Sequence, residues 1–344
     1  MRFAELCRTW FSAVASVKRG GGRYRLIIRA LPLLAARLRE IFVFIGELPD
    51  TAMKGNGYME FLTLNNGITM PMLAYGACLV SRDECQRCVY DAFEVGYRAI
   101  DTAQAYDNEE EVGNAIASSA IPRGEIFLTT KISQANYGYA ECRESFLRSL
   151  EKLKTDYVDL CLLHQPVNDV YGSYRALEEL AEEGLIRSIG ISNFYADRMV
   201  DIAHYARIKP VLNQLELHPF HQRKNEYEWN TEYGIALQAW SPFGRGRENM
   251  LSLPELVAIG ERYGKTPAQV ILRWITQRGI AAASKSTHKE RMAENISIFD
   301  FTLTEGEMEI IAMLDKGTSV FYSHQDPKTV ESFWRSIERQ RGNG

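Results

Sequence analysis

The stretch "YVDLCLLHQPVNDVYGSYRALEELAEEGLIRSIGIS", Tyr157 to Ser192, decides the fold. Its first eight residues, 157–164, form a short apolar run that reads as a strand. "YGSYRALEELAEEG" then places apolar residues at three- and four-residue steps, the period of an amphipathic helix. Gly184 stops that helix in the usual C-terminal way. A second apolar run, "IRSIGIS" (186–192), reads as the next strand. One β-then-α unit is thus visible, with the following strand in place.

The same texture continues in both directions. Strands are expected at "LAYG" (73–76), "RAID" (98–101), "IFLTTK" (126–131), "PVLNQLEL" (210–217), "GIALQAW" (234–240) and "GIAAAS" (279–284), which makes eight. Helical patterns such as "SRDECQRCVYDAFEVG" and "ECRESFLRSLEKL" separate them. Ser81 with Glu84 suggests a capping box at the start of the first, and Gly96 ends it. Ahead of the series, "FLTLNNGITMPML" reads as a hairpin with Asn66-Gly67 as its turn. Eight units over about 58–300 predict an α/β fold, a (β/α)8 TIM barrel with an N-terminal β-hairpin closing the bottom. A doubly wound sheet is the competitor, since a count of strands does not close a barrel.

The 344 residues are 46% hydrophobic and 24% charged, an ordinary globular composition. The net charge of -4 argues against nucleic-acid binding. It conceals a basic leader: residues 1–55 hold ten Lys/Arg against four Asp/Glu, and the rest of the chain holds 30 against 40. Such a leader suits a targeting segment, a membrane-surface helix or a translated upstream stretch. Arg29, Arg37, Arg39 and Glu40 interrupt its apolar runs, so it is neither a good secretory signal nor a simple membrane span. The expected organisation is a leader over 1–57, disordered or non-native, a catalytic barrel over 58–316, and a tail over 317–344 with a short helix. The six cysteines are scattered. Cys85 and Cys88 form a lone C-x-x-C inside a helical pattern, with no second pair to complete a zinc ribbon. Reduced thiols, no metal and a cytoplasmic location follow as expectations.

Polar residues gather at one address. Asp101, Lys131, His164, Ser192, Gln214, Trp240 and Lys285 each fall at or just past the end of an expected strand, and in a barrel those ends surround one site. A lysine ending an apolar strand needs a carboxylate nearby, which Asp101 can supply. Tyr106, in "AIDTAQAYDNEEEVG", lies five residues beyond Asp101. A phenol beside a lysine should have its pKa lowered, making Tyr106 a proton donor near neutral pH. His164 can hydrogen-bond the same reacting oxygen. The acids from Glu109 onward read as the first turn of a helix rather than a calcium loop, because the D-x-[DN]-x-[DN]-G spacing is missing. No G-x-S-x-G, G-x-G-x-x-G or P-loop occurs. The set suits protonation of a carbonyl oxygen while hydride arrives at carbon. "SKSTHKERMAEN" (284–295) opens a helix, with Thr287 and Glu290 as its expected capping box. Lys285, His288, Lys289 and Arg291 crowd the end of that helix that prefers anions, so a bound phosphate fits there.

With "YRAIDTAQAYDNEEEVGNAI", "LTTKIS", "DYVDLCLLHQP", "GLIRSIGISNF", "VLNQLELHP", "AWSPFG" and "KSTHKERMAEN" in this order, the chain resembles the aldo-keto reductases from about residue 59 to 316. The resemblance implies NADPH-dependent reduction of aldehydes or ketones on a catalytic tetrad of Asp101, Tyr106, Lys131 and His164. It implies that Ser192, Asn193 and Gln214 hold the nicotinamide carboxamide and that Trp240 stacks on the ring. Ser241 and Phe243 would line the pyrophosphate. Lys285, Ser286 and Arg291 would grip the 2'-phosphate, and Glu294 and Asn295 would face adenine. Three positions depart from the family pattern. Ser284 replaces a proline before the Lys-Ser pair, Gly76-Ala77-Cys78 lacks the aromatic residue that faces substrate, and Trp240 stands where tyrosine or phenylalanine is frequent. The loop after His164 is similar to the short-loop bacterial members that act on small aldehydes and keto sugars. A small-molecule carbonyl partner, no nucleic acid, no stable membrane association and a monomer or weak dimer complete the expectations.

Overall fold

The computed structural model describes residues 59–342, together with Arg19–Gly20 and Arg23–Tyr24. The chain separates into two compact units, Met1–Lys54 and Gly55–Gly344. In the first, Arg19–Gly20 pairs antiparallel with Arg23–Tyr24. The expectation of a disordered or non-native leader otherwise lies outside the described residues.

The second unit is a closed barrel of eight parallel strands. They are β1 (Leu73–Gly76), β2 (Ala99–Asp101), β3 (Phe127–Ile132), β4 (Leu160–Leu163), β5 (Ile189–Ser192), β6 (Leu212–Glu216), β7 (Ala236–Trp240) and β8 (Ala281–Ser284). Each pairs with its sequence neighbour, and β8 closes on β1 through Ser284 beside Tyr75. The doubly wound alternative is excluded. Helices α1 (Arg82–Glu94), α2 (Glu109–Ser118), α3 (Tyr139–Leu153), α4 (Val170–Glu182), α5 (Ala196–Tyr205) and α6 (Lys224–Glu232) follow the first six strands in turn. Two helices, α7 (Pro254–Tyr263) and α8 (Pro267–Gln277), fill the β7–β8 connection. Beyond β8 come α9 (Lys289–Ile296), α10 (Glu305–Ala312) and α11 (Pro327–Gly342).

Strand alternation divides the core in two. Outward residues such as Tyr75, Ile100, Leu128, Cys161, Ile191 and Leu237 pack under the helices. Inward residues at the strand starts, among them Ala74, Ala99, Phe127, Leu160, Leu212 and Ala281, form a second cluster inside the barrel. That cluster includes Leu64 and Met70 of the preceding hairpin, whose strands are Phe61–Thr63 and Thr69–Pro71. The hairpin therefore plugs the N-terminal end of the barrel. Asn65 and Asn66 tie its turn to the backbone carbonyls of Pro210 and Arg187. Gly67 sits at φ +83°, a conformation that favours glycine. Burying Leu64 and Met70 there contributes about 1.5–3 kcal/mol each.

Two local expectations change. Ser81 caps α1 by position only: its hydroxyl meets the Glu84 carboxylate instead of closing a capping box on the backbone. His288, not Thr287, is the N-cap residue of α9, and Ser286 Oγ accepts the His288 N–H at 3.0 Å. Serine two residues earlier reaches that N–H through a tight local turn, and this displaces the Thr287–Glu290 pair.

Candidate active site

Period-two alternation brings the polar residues inside. On the inward face, β2 runs from Ala99 to Asp101, and β3 runs from Phe127 through Thr129 to Lys131. β6 runs from Leu212 through Gln214 to Glu216, and β7 from Ala236 through Gln238 to Trp240. Each strand enters the barrel apolar and leaves it polar. The apolar starts meet the hairpin, and the polar ends line the open C-terminal mouth.

Lys131 is fully buried, with its ammonium 2.5 Å from Asp101 Oδ1. It also donates to the Thr102 carbonyl at 3.0 Å and to the Tyr106 hydroxyl at 3.3 Å. Asp101 Oδ2 accepts from Gln214 Nε2 at 2.7 Å, so both carboxylate oxygens are engaged. His164 meets Tyr106 edge-on, ring centroids 5.7 Å apart. The structure thus brings Asp101, Tyr106, Lys131 and His164 together. Tyr106 is held by its short loop: Thr102 Oγ1 donates to Asn108 Oδ1, and Asn108 Nδ2 donates to the carbonyls of Ala77 and Val80. Asn108 is a positioning group that sequence reading passed over as one polar residue in an acidic loop.

The Tyr106 pKa moves opposite to expectation. Burial, then the Asp101 charge, push the phenol well above its ordinary value. The Lys131 ammonium, 3.3 Å from the hydroxyl and itself paired with Asp101, does not outweigh these two effects. The phenol therefore keeps its proton through the neutral range. Burial, reinforced by the positive charge of Lys131, pushes His164 down to about 3. Burial, then Arg223, holds His324 at about 4. Both imidazoles are neutral at pH 7, while an unfolded histidine titrates near 6.5. Below that value the unfolded chain takes up protons that the folded chain refuses. Stability is thus fully present above about pH 6.5 and falls by up to about 1.4 kcal/mol per pH unit per histidine down to the folded values. Tm should be lower at pH 5 than at pH 7, and His164→Gln should shrink the difference; an unaltered difference would exclude His164 as a contributor.

The residues expected to hold cofactor are grouped at the same mouth. Ser192 donates to the Gln214 carbonyl, and Asn193, at φ +67°, donates to the His164 carbonyl and to Ser192 Oγ. Trp240 Nε1 donates to Asn193 Oδ1 at 2.9 Å. Ser241 and Phe243 follow β7, with Ser241 in the left-handed region at φ +49°. Lys285 and Arg291 are exposed at the start of α9, and neither has a hydrogen-bond or ion-pair partner among the described residues. Two unpaired cations at a helix N-terminus fit an anion. Ser286 is buried beside them. The Asn295 side chain makes no hydrogen bond among the described residues, whereas Glu294 is occupied by the Thr266 hydroxyl at 2.6 Å. Glu294 thus braces α8 against α9. Of the departures from the family pattern, Ser284 is buried with Tyr97 OH 3.4 Å from its hydroxyl, and Cys78 is partly open at the mouth.

The C-terminal segment crosses the same face. Glu216 accepts from Ser319 Oγ at 2.5 Å, from Val320 N–H at 3.0 Å and from His218 Nε2 at 2.9 Å. Glu216, itself paired with His218, therefore anchors the tail. Phe321 leans on Trp240 with centroids 5.4 Å apart, and the Arg245 and Arg247 guanidinium groups lie 5.0 and 4.6 Å from the centre of the Phe321 ring. His324 pairs with Gln165 at 2.8 Å. Ile337, with Val330 and Phe333, seats α11 on Ala135 and Val167. A cavity of about 550 Å³ lies under this segment, lined by Tyr195, His221, Arg223, Ser319 and Tyr322, and includes none of the four grouped residues. Among the described residues there is no metal-binding cluster, and no helix is long and apolar enough to cross a membrane.

Known proteins resemble this chain over the barrel. Residues 72–316 match the model of the Aldo/keto reductase family. Morphine 6-dehydrogenase of Pseudomonas putida is 38% identical over 290 residues, covering 80% of this chain and 97% of that protein. Methylglyoxal reductase of Escherichia coli strain K12 is 39% identical over 259 residues, covering 74% and 94%. Among solved structures, a Bombyx mori aldo-keto reductase in complex with NADP has TM-score 0.74 at 33% identity, covering 79% of this chain and 97% of that one.

Proposed function

We propose, for a chain that belongs to the aldo/keto reductase family, that it is an NADPH-dependent oxidoreductase reducing small aldehydes, keto sugars or dicarbonyls to alcohols, with Tyr106 as proton donor. The observation that carries this reading is the buried Lys131–Asp101 pair at 2.5 Å beneath the Tyr106 hydroxyl at 3.3 Å.

When bound, NADPH supplies the hydride that reaches the carbonyl carbon. Tyr106 gives its proton to the carbonyl oxygen. As the O–H bond breaks, negative charge grows on a phenol oxygen already within reach of the Lys131 ammonium, which stabilises it. Asp101 keeps that ammonium in place beneath the Tyr106 hydroxyl. Neutral His164 can donate an N–H to the same carbonyl oxygen and so fix its approach. On the cofactor side, Ser192, Asn193 and Gln214 would hold the carboxamide and Trp240 would stack on the ring. Ser241 and Phe243 would line the pyrophosphate. The unpaired Lys285 and Arg291, with Ser286, would take the 2'-phosphate, which favours NADPH over NADH. Asn295 is free to face adenine; Glu294 can do so only beside its Thr266 bond.

A steady-state panel of aldehydes, keto sugars and dicarbonyls with each nucleotide tests the reading. Turnover with higher kcat/KM for NADPH than for NADH is expected. Absence of both turnover and cofactor binding would sink it. Tight NADPH binding with negligible turnover, unaltered by Tyr106→Phe, would point instead to a cofactor-sensing binding subunit.

A further inference from the structure

Gln214 spans the barrel mouth. It lies on β6 in register with Gln238 of β7, while Asp101 ends β2 on the opposite wall. Gln214 Nε2 donates to Asp101 Oδ2 and to Gln238 Oε1, each at 2.7 Å. An amide nitrogen carries two protons, so both are committed. Turning the amide over would set its oxygen against the Asp101 carboxylate, which fixes the orientation. All three side chains are buried. Gln214 Oε1 has no partner among the described residues, and at this site it can only accept.

We propose that Gln238 is a positioning residue: by taking the second Gln214 proton, it makes Gln214 an obligate acceptor toward the bound nicotinamide carboxamide. The carboxamide must then offer an N–H, and the contact is tied through Gln214 to the carboxylate under Tyr106. Without the Gln238 acceptor, Gln214 stays bonded to Asp101 through one N–H, and the other is released. Gln214 then donates or accepts, and the demand for an N–H on the ligand disappears. This inference rests on the reading that NADPH binds at this mouth.

The experiment compares NADPH with its reduced 3-acetylpyridine analogue, in which a methyl group replaces the carboxamide nitrogen. Fluorescence titration of the full chain gives both dissociation constants, with thermal melts confirming that each variant is folded. The unaltered protein should bind NADPH more tightly than the analogue. Gln238→Met, of similar shape but without an acceptor oxygen, should shrink that preference by about fivefold or more. Gln238→Glu, which keeps an acceptor, should retain it, an outcome a merely space-filling role does not predict. If Gln238→Met does not fold, Gln238→Leu carries the same comparison. The same preference in the folded Met or Leu variant as in the unaltered protein overturns the inference, as does an unaltered protein that binds both nucleotides equally. An unaltered protein that binds neither removes the proposed function itself, and this inference with it.

Discussion

Replacing Tyr106 by phenylalanine is expected to lower kcat for carbonyl reduction by about 10²–10⁴-fold at pH 7, the range that general acid catalysis contributes. The substitution removes one hydroxyl and keeps the ring. The ring's edge contact with His164, and the Lys131 ammonium 4.9 Å from its centroid, both survive. NADPH affinity should therefore change little. Because the hydroxyl acts as the proton moves, kcat and kcat/KM should fall together. A kcat within a few-fold of the unaltered enzyme would exclude Tyr106 as donor. The direction of its pKa adds a second readout. A phenol lowered toward neutrality would lose reductase activity as pH rises past 8. A phenol raised by burial keeps its proton there, so the rate of reduction should hold across that interval.

This reversal shows where sequence reading stops. Proximity of Tyr106 to Lys131 was legible from two strand ends and a five-residue loop. The burial of the phenol and the Asp101 charge beside it were not, because both depend on the tertiary closure of the site. The barrel itself was legible, since its evidence is periodicity. The strand expected at 73–76 is β1 without change, whereas 157–164 shrinks to Leu160–Leu163, with Val158 joined to Ile186 only by an isolated bridge. Gln238 was legible too, and missed: in "ALQAW" it sits on the inward phase between Ala236 and Trp240, where a polar residue can only face the barrel mouth. Glu216 was correctly set aside as structural. Its work of holding Ser319 and Val320 joins positions 103 and 104 residues apart, and no local pattern encodes that. The seat of α11 on Ala135 and Val167 was likewise open, because an amphipathic helix states which face is apolar and not what covers it.

Lys131→Met should damage both stability and catalysis, and the two losses can be separated. Lys131 and Asp101 are 0% and 3% exposed. Removing the ammonium leaves the carboxylate buried with Gln214 as its remaining donor. Breaking a buried pair from one side costs about 3–5 kcal/mol, chiefly from the charge left uncompensated. The Met variant should therefore melt well below the unaltered protein. Adding Asp101→Asn removes the stranded charge, and the oxygen of the introduced amide can still accept the Gln214 proton. The double variant should be more stable than Lys131→Met alone. Its activity should not follow, because the phenolate charge that grows on Tyr106 then loses the ammonium 3.3 Å away; a loss of about 10²–10³-fold in kcat is expected from removing one such stabilising group. Thermal melts and kcat on the unaltered protein and the two variants decide the matter. A single Lys131→Met variant as stable as the unaltered chain would mean that the pair does not hold the site. A double variant that regains kcat to within tenfold would mean that the ammonium serves packing alone, and the proton would then have to leave Tyr106 without help from Lys131.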